Sequence, residues 1–203
     1  MTLSRPARRE HIHTRDIRCR GFRRQDGLWD IEATLEDTKT YSFANHDRGG
    51  IVAGEPIHRM HLRLTIDDGL TVQAAEAATE AGPFDLCGAI TPVFESLVGL
   101  RIGPGWRSAV IERMGGVKGC THLTELLLGP LTTTAMQTVA SARSRRQEGT
   151  VDGRPPPILD TCHALARTSD VVRRQWPEHY AGTSGEAVPG EEAPRDRGER
   201  PTP

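Results

Sequence analysis

Lysine is nearly missing from this sequence: of its 26 basic residues all but Lys39 and Lys118 are arginine. A GC-rich genome produces that skew, so arginine identity by itself carries little functional weight. Aromatic residues make up only 4% of the chain, and the net charge is -1, a balance that excludes a surface built chiefly to neutralise nucleic-acid phosphates. No hydrophobic run approaches the length of a membrane span, and the N-terminal stretch has no apolar core of a secretion signal. Four cysteines at irregular spacing do not form a secreted disulfide framework. Together these absences predict a cytoplasmic chain with reduced thiols and no membrane partner.

The first third carries period-two alternation, the mark of strands with one buried face. Ile17 to Arg24 and Trp29 to Glu36 flank Asp26-Gly27, a hairpin turn signal. Met60, Leu62, Leu64 and Ile66 form a second such face, Asp68-Gly69 turns the chain, and Leu70, Val72 and Ala74 are expected to resume it. The Gly-rich stretch from Tyr41 to Glu55 reads as a long loop. Within residues 5 to 24, eight arginines oppose only Glu10 and Asp16, which reads as a solvated edge strand. His11 and His13 share a face of this arm, where any metal affinity would be incidental. His58 shares the face of Met60, whereas His61 faces outward with Arg63.

Beyond Gly82-Pro83 the pattern becomes helical. Ile90, Val93, Phe94, Leu97 and Val98 recur at helical spacing after Thr91-Pro92, a cap followed by a first-turn proline. A short helix is expected from Trp106 to Met114, stopped by Gly115-Gly116. A longer one starts at Thr121, carries Leu123, Leu126 and Leu127, and bends at Pro130. Strands first and helices second predict an α+β fold, an N-terminal antiparallel sheet with a helical half packed on it. The expected organisation is one domain over 11–146, a linker over 147–156, a helix within 157–180 that docks on the domain, and a disordered tail over 181–203.

Chemistry concentrates at Gly119-Cys120-Thr121-His122-Leu123, where a thiol and an imidazole open a helix and the unpaired N–H groups favour a thiolate. Cys87 and Cys162 also stand near predicted helix starts, and His163 follows Cys162. Cys87, Cys120 and His122 are the candidate ligands of a soft metal, with His58, Cys162 and His163 as further donors. Zinc, iron or an iron–sulfur cluster would suit such a set. No CxxC or HxxxH pair is present, so the site has to be assembled from separate elements. The catalytic alternative uses Cys120 as nucleophile or His122 as base.

Four segments, His13-Thr14-Arg15, Asp26-Gly27-Leu28-Trp29-Asp30-Ile31-Glu32-Ala33, Ala53-Gly54-Glu55-Pro56-Ile57-His58 and Gly119-Cys120-Thr121-His122-Leu123, occur in an order that resembles a bacterial domain family of unknown function. The resemblance covers roughly residues 11 to 180 and implies a bacterial protein, often met beside catabolic genes, with no assigned activity. A weaker resemblance is to iron–sulfur cluster assembly scaffolds, which also place a sheet before cysteine-bearing helix starts. It rests on Cys87, Cys120 and His122, with Cys19 as stand-in for the scaffold's first cysteine, and Cys-x-His in place of His-Cys.

The leading functional expectation is a metal- or iron–sulfur-binding accessory protein. The alternatives are a small catabolic enzyme acting on a carbonyl or thioester compound through Cys120 or His122, and a non-catalytic adaptor with a protein partner.

Overall fold

The computed structural model describes residues 3–145, 155–156 and 158–182. The chain divides into two compact units, 1–147 and 148–203. The first is α+β. Its strands β1 (His13–Arg23), β2 (Trp29–Lys39), β3 (His58–Ile66) and β4 (Val72–Ala81) form an antiparallel sheet in the order β1-β2-β3-β4, each strand beside its sequence neighbour.

The alternation in β2 decides which face is buried. Trp29, Ile31, Ala33 and Leu35 lie inward with Met60, Leu62, Leu64 and Ile66 of β3. They share one core with Phe94, Leu97, Leu123 and Leu127 from the helical half. Burying such side chains is worth about 1.5–3 kcal/mol each, which binds the helices to the sheet. At the first hairpin Gly27 takes φ 89°, a conformation that favours glycine, and Leu28 N donates to Asp26 Oδ1 at 3.2 Å.

Two details of the sheet differ from the sequence pattern. β1 starts at His13 instead of Ile17, paired with Lys39, so the expected arm is partly strand. In β4 a bulge between the Thr65–Ala74 and Ile66–Val72 pairs adds a residue. That insertion moves Ala75, 5% exposed, onto the core face in place of Ala74.

The helical half follows. Asp85–Leu97 is a run of 3-10 turns with Pro92 inside it, in place of an α-helix capped by Thr91. The threefold period still buries Phe94 and Leu97 but leaves Val98 52% exposed. Residues 99–102 then pair with 70–72, with Val72 N donating to Leu100 O at 2.8 Å and Ile102 N to Leu70 O at 2.9 Å.

Helix α1 (Trp106–Met114) ends at Gly115, and α2 (Thr121–Leu126) follows with Cys120 in the capping position. Pro130 does not bend the chain simply. Because it lacks an N–H, residues Leu127–Leu131 relax into a π turn before α3 (Thr132–Arg145). Thr132, Thr133 and Thr134 donate their hydroxyls to the carbonyls of Leu127, Gly129 and Pro130 at 2.6, 3.0 and 2.9 Å. Three consecutive threonines thus add side-chain donors to the carbonyls of the irregular turn, two of which, Leu127 O and Gly129 O, also accept the Thr132 backbone N–H.

In the second unit, the helix expected from Asp160 to Trp176 is broken. Asp160 adopts φ 59°, and Arg167 N donates to its Oδ1 at 2.9 Å. A 3-10 turn at His163–Leu165 precedes the short helix α4 (Asp170–Gln175), which Ser169 caps by accepting from Val172 N at 3.2 Å. The expected linker, apart from residues 155 and 156, and the expected tail from residue 183 lie outside the described residues. Among the described residues no helix is long and apolar enough to cross a membrane.

Candidate functional site

The inward face of β2 does not end at Leu35. The period of two continues to Asp37, a carboxylate only 1% exposed. Such a group costs several kcal/mol to bury unless charge and hydrogen bonds compensate. Compensation comes from the neighbouring strands. Arg15 lies opposite on β1 and His58 opposite on β3. Arg15 donates Nε to Oδ1 and Nη2 to Oδ2, both at 2.7 Å. His13 Nε2 meets Oδ1 at 3.1 Å, and His58 Nδ1 meets Oδ2 at 3.0 Å. Four donors fill the four acceptor sites of one carboxylate.

Burial pushes the Asp37 carboxyl upward, but the Arg15 hydrogen bonds and charge, aided by His13 and His58, prevail and hold it at about 2. An ionised carboxylate has no proton to give, so the proton in the His58 contact sits on Nδ1. His58 in its neutral form therefore carries its lone pair on Nε2, the nitrogen away from Asp37.

His122 enters from α2. Its ring packs on that of His58 with centroids 3.9 Å apart and planes inclined by 35°. Burial lowers the pKa of His58 despite the pull of Asp37. Burial also lowers that of His122, with the positive neighbours His58 and Arg15 adding to the effect. Both rings thus favour the neutral, basic form. Neither ring nitrogen of His122 has a hydrogen-bond partner among the described residues.

The local chain explains why these elements meet. Gly119 takes an extended conformation directly against Met114, where a Cβ would lie 3.0 Å from the Met114 Cβ, so only glycine lets α2 start this close to the end of α1. The loop before His58 is fixed by Gly54, at φ 81°, and by an ion pair between Arg48 and Glu55. Ile57 N donates to Asp37 O at 2.8 Å, which sets β3 in register as it begins.

Of the sequence candidates, the structure brings His122 and His58 together and adds Asp37. Among the described residues these three form the group of His, Cys, Asp or Glu side chains whose ligand atoms all lie within 4.8 Å of one another. Cys87, Cys120, Cys162 and His163 are not part of it. The expected ligand set joined Cys87 and Cys120 to His122; of these only His122 belongs to this group. Cys87 packs on Gly82 at the end of β4, where a Cβ on that glycine would come within 2.7 Å of its own. Cys120 occupies the capping position of α2 at the edge of the core. Cys162 and His163 are exposed residues of the second unit. Cys19 lies inward on β1 against Thr134, and burial raises its thiol pKa.

Sequence reasoning passed over Asp37 and gave Arg15 no role beyond a motif. A signal was present, because both occupy the inward phase of their strands, where a charged residue is out of place unless it has a task or a partner.

No curated protein and no solved structure matches the chain. The likeness to iron–sulfur scaffolds therefore finds no support in a related fold, and the thiols it needs are not gathered. Residues 13–137 match the model of a family described as a protein of unknown function, DUF2889. That span holds all four sheet strands, Arg15, Asp37, His58 and His122, and more than half of the sequence. The chain belongs to the DUF2889 family.

Proposed function

We propose that this protein is a small-molecule enzyme whose chemistry is proton transfer, with His58 as general base, Asp37 as its positioning residue and His122 as the second acid–base group. The observation that carries the reading is the His58 Nδ1 to Asp37 Oδ2 hydrogen bond at 3.0 Å beneath a ring stacked on His122. A buried carboxylate that fixes one imidazole nitrogen leaves the other, in a defined tautomer, free to accept a proton. Imidazoles kept neutral near pH 7 are ready bases, and the first to take a proton becomes the acid of the return step. Carbonyl and thioester compounds are the substrate class with protons and acyl centres suited to such a pair.

The test is hydrolysis of p-nitrophenyl acetate and of an acetyl thioester with EDTA present. His58→Gln is expected to lower the rate roughly a hundredfold. Equal rates in native protein and His58→Gln, or turnover no faster than that of free imidazole, would end the reading.

One observation favours a second reading, a transition-metal centre: the 4.8 Å grouping of Asp37, His58 and His122 has the residue types of a zinc or iron site. It ranks second because Asp37 has no acceptor site left. A cation there would displace the His58 N–H and stand beside the Arg15 guanidinium. Stoichiometric zinc in native protein, lost in both His58→Gln and His122→Gln, would reverse the ranking.

A further inference from the structure

We infer that Arg15 and Lys39, beside the His58–His122 pair, bind the carboxylate of a small organic acid. This rests on the proton-transfer reading and names the substrate class it serves. Arg15 uses only one edge of its guanidinium on Asp37, through Nε and Nη2. Nη1 has no partner among the described residues, and the side chain is 41% exposed. The far edge, Nη1 with the second Nη2 proton, has the spacing that matches a carboxylate in a two-bond fork.

Lys39 stands two residues beyond Asp37, on the same face of β2 and opposite His13. It is the diagonal neighbour of Arg15, roughly 7–8 Å away at the backbone. Its ammonium makes no ion pair among the described residues and lies 5.2 Å from the centre of the Tyr41 ring.

The charges do not cancel. Asp37 neutralises Arg15, burial favours the neutral forms of His58 and His122, and Glu36, the next carboxylate along β2, points to the opposite face, where Arg59 Nε donates to it at 2.7 Å. Lys39 is left as net positive charge on the strand face of the buried Asp37, two residues along β2, and a bound carboxylate would offset it. In a sequence with only two lysines, one is placed here.

The experiment is NMR of the full chain with labelled histidines, titrated with sodium propionate. Sodium chloride at matched ionic strength controls for screening, and inorganic phosphate serves as the other oxyanion. Propionate is expected to shift the His58 and His122 signals saturably, and Lys39→Gln to weaken the apparent affinity roughly tenfold. Arg15→Lys, which keeps the charge but removes the fork, is expected to weaken it as well. Equal shifts with chloride, undiminished binding in Lys39→Gln, or tighter binding of phosphate than of propionate would each overturn the inference. Hydrolysis of a neutral ester needs no anion site and so reports on proton transfer alone. Turnover without propionate binding removes only this inference, and saturable propionate binding without turnover supports it while removing only the proton-transfer reading.

Discussion

Arg15 and Asp37 face each other across β1 and β2 and join through two parallel hydrogen bonds of 2.7 Å, with the aspartate side chain 1% exposed and the arginine side chain 41%. The pair is therefore asymmetric: the arginine can turn to water, but the aspartate cannot. Arg15→Met is expected to cost about 3 kcal/mol, at the low end for a broken buried pair. It should also raise the pKa of His58, because Asp37 then relies on its histidines and the repelling arginine charge is gone. A histidine NMR titration of the variant checks this. A His58 titrating no higher than in the native chain would show that Arg15 does not control it.

Acidification should weaken the fold in two stages. His58 and His122 have folded pKa values below the ordinary 6.5, so protons bind the unfolded chain more readily. Their contribution is intact above 6.5 and declines as pH falls from there toward the folded values. Asp37, held at about 2 against an ordinary 3.8, adds a second loss between those limits. At 1.36 kcal/mol per unit that loss is about 2 kcal/mol. Urea midpoints measured across pH should show both declines, and replacing both histidines by glutamine should remove the first.

Packing of α3 on the sheet depends on a missing side chain. A Cβ at Gly21 would lie 2.8 Å from the Cβ of Thr138, closer than packed carbons approach. Gly21→Ala should cost about 1–3 kcal/mol by overpacking. Adding Thr138→Ala should recover most of the loss, and thermal melts of the two singles and the double measure that coupling.

Thr132 relays a buried hydrogen bond. Trp106 Nε1 donates to its hydroxyl at 3.0 Å, and the hydroxyl donates to Leu127 O at 2.6 Å inside the π turn. Thr132→Val keeps the shape but leaves the buried Trp106 indole N–H without its acceptor, while Leu127 O retains the Thr132 backbone N–H, at a cost of about 1–3 kcal/mol. Equal stability of Thr132→Val and native protein in urea would show that water replaces the hydroxyl.

The sheet was readable because alternation and turn chemistry are local. Trp29 to Leu35 and Asp26-Gly27 identify β2 and its turn with no knowledge of the partner strand. The bulge that exchanges Ala74 for Ala75 was not readable, since it depends on how β4 meets β3. Thr91-Pro92 reads in sequence as an ordinary helix start, and the 3-10 run around it is not signalled; the π turn at Pro130 is signalled only as a bend. At the site, His58 and His122 were singled out, but the thiols drew attention toward Cys87 and Cys120. Nothing in a one-dimensional spacing says that Cys87 turns against Gly82 while His122 reaches β3. Asp37 was legible in principle, as the one acidic residue in the inward phase of a strand whose face is apolar from Trp29 to Leu35.

The sheet is a meander in which every strand pairs with its neighbour in sequence, so Arg15, Asp37 and His58 can come together as successive hairpins close. His122 arrives from roughly sixty residues further along, by a contact of much longer range that should form later. The imidazole stack is thus a built-in report of completed assembly. A chain halted with its hairpins formed and its helices undocked would own an oriented histidine and no ring packed on it until the last packing step.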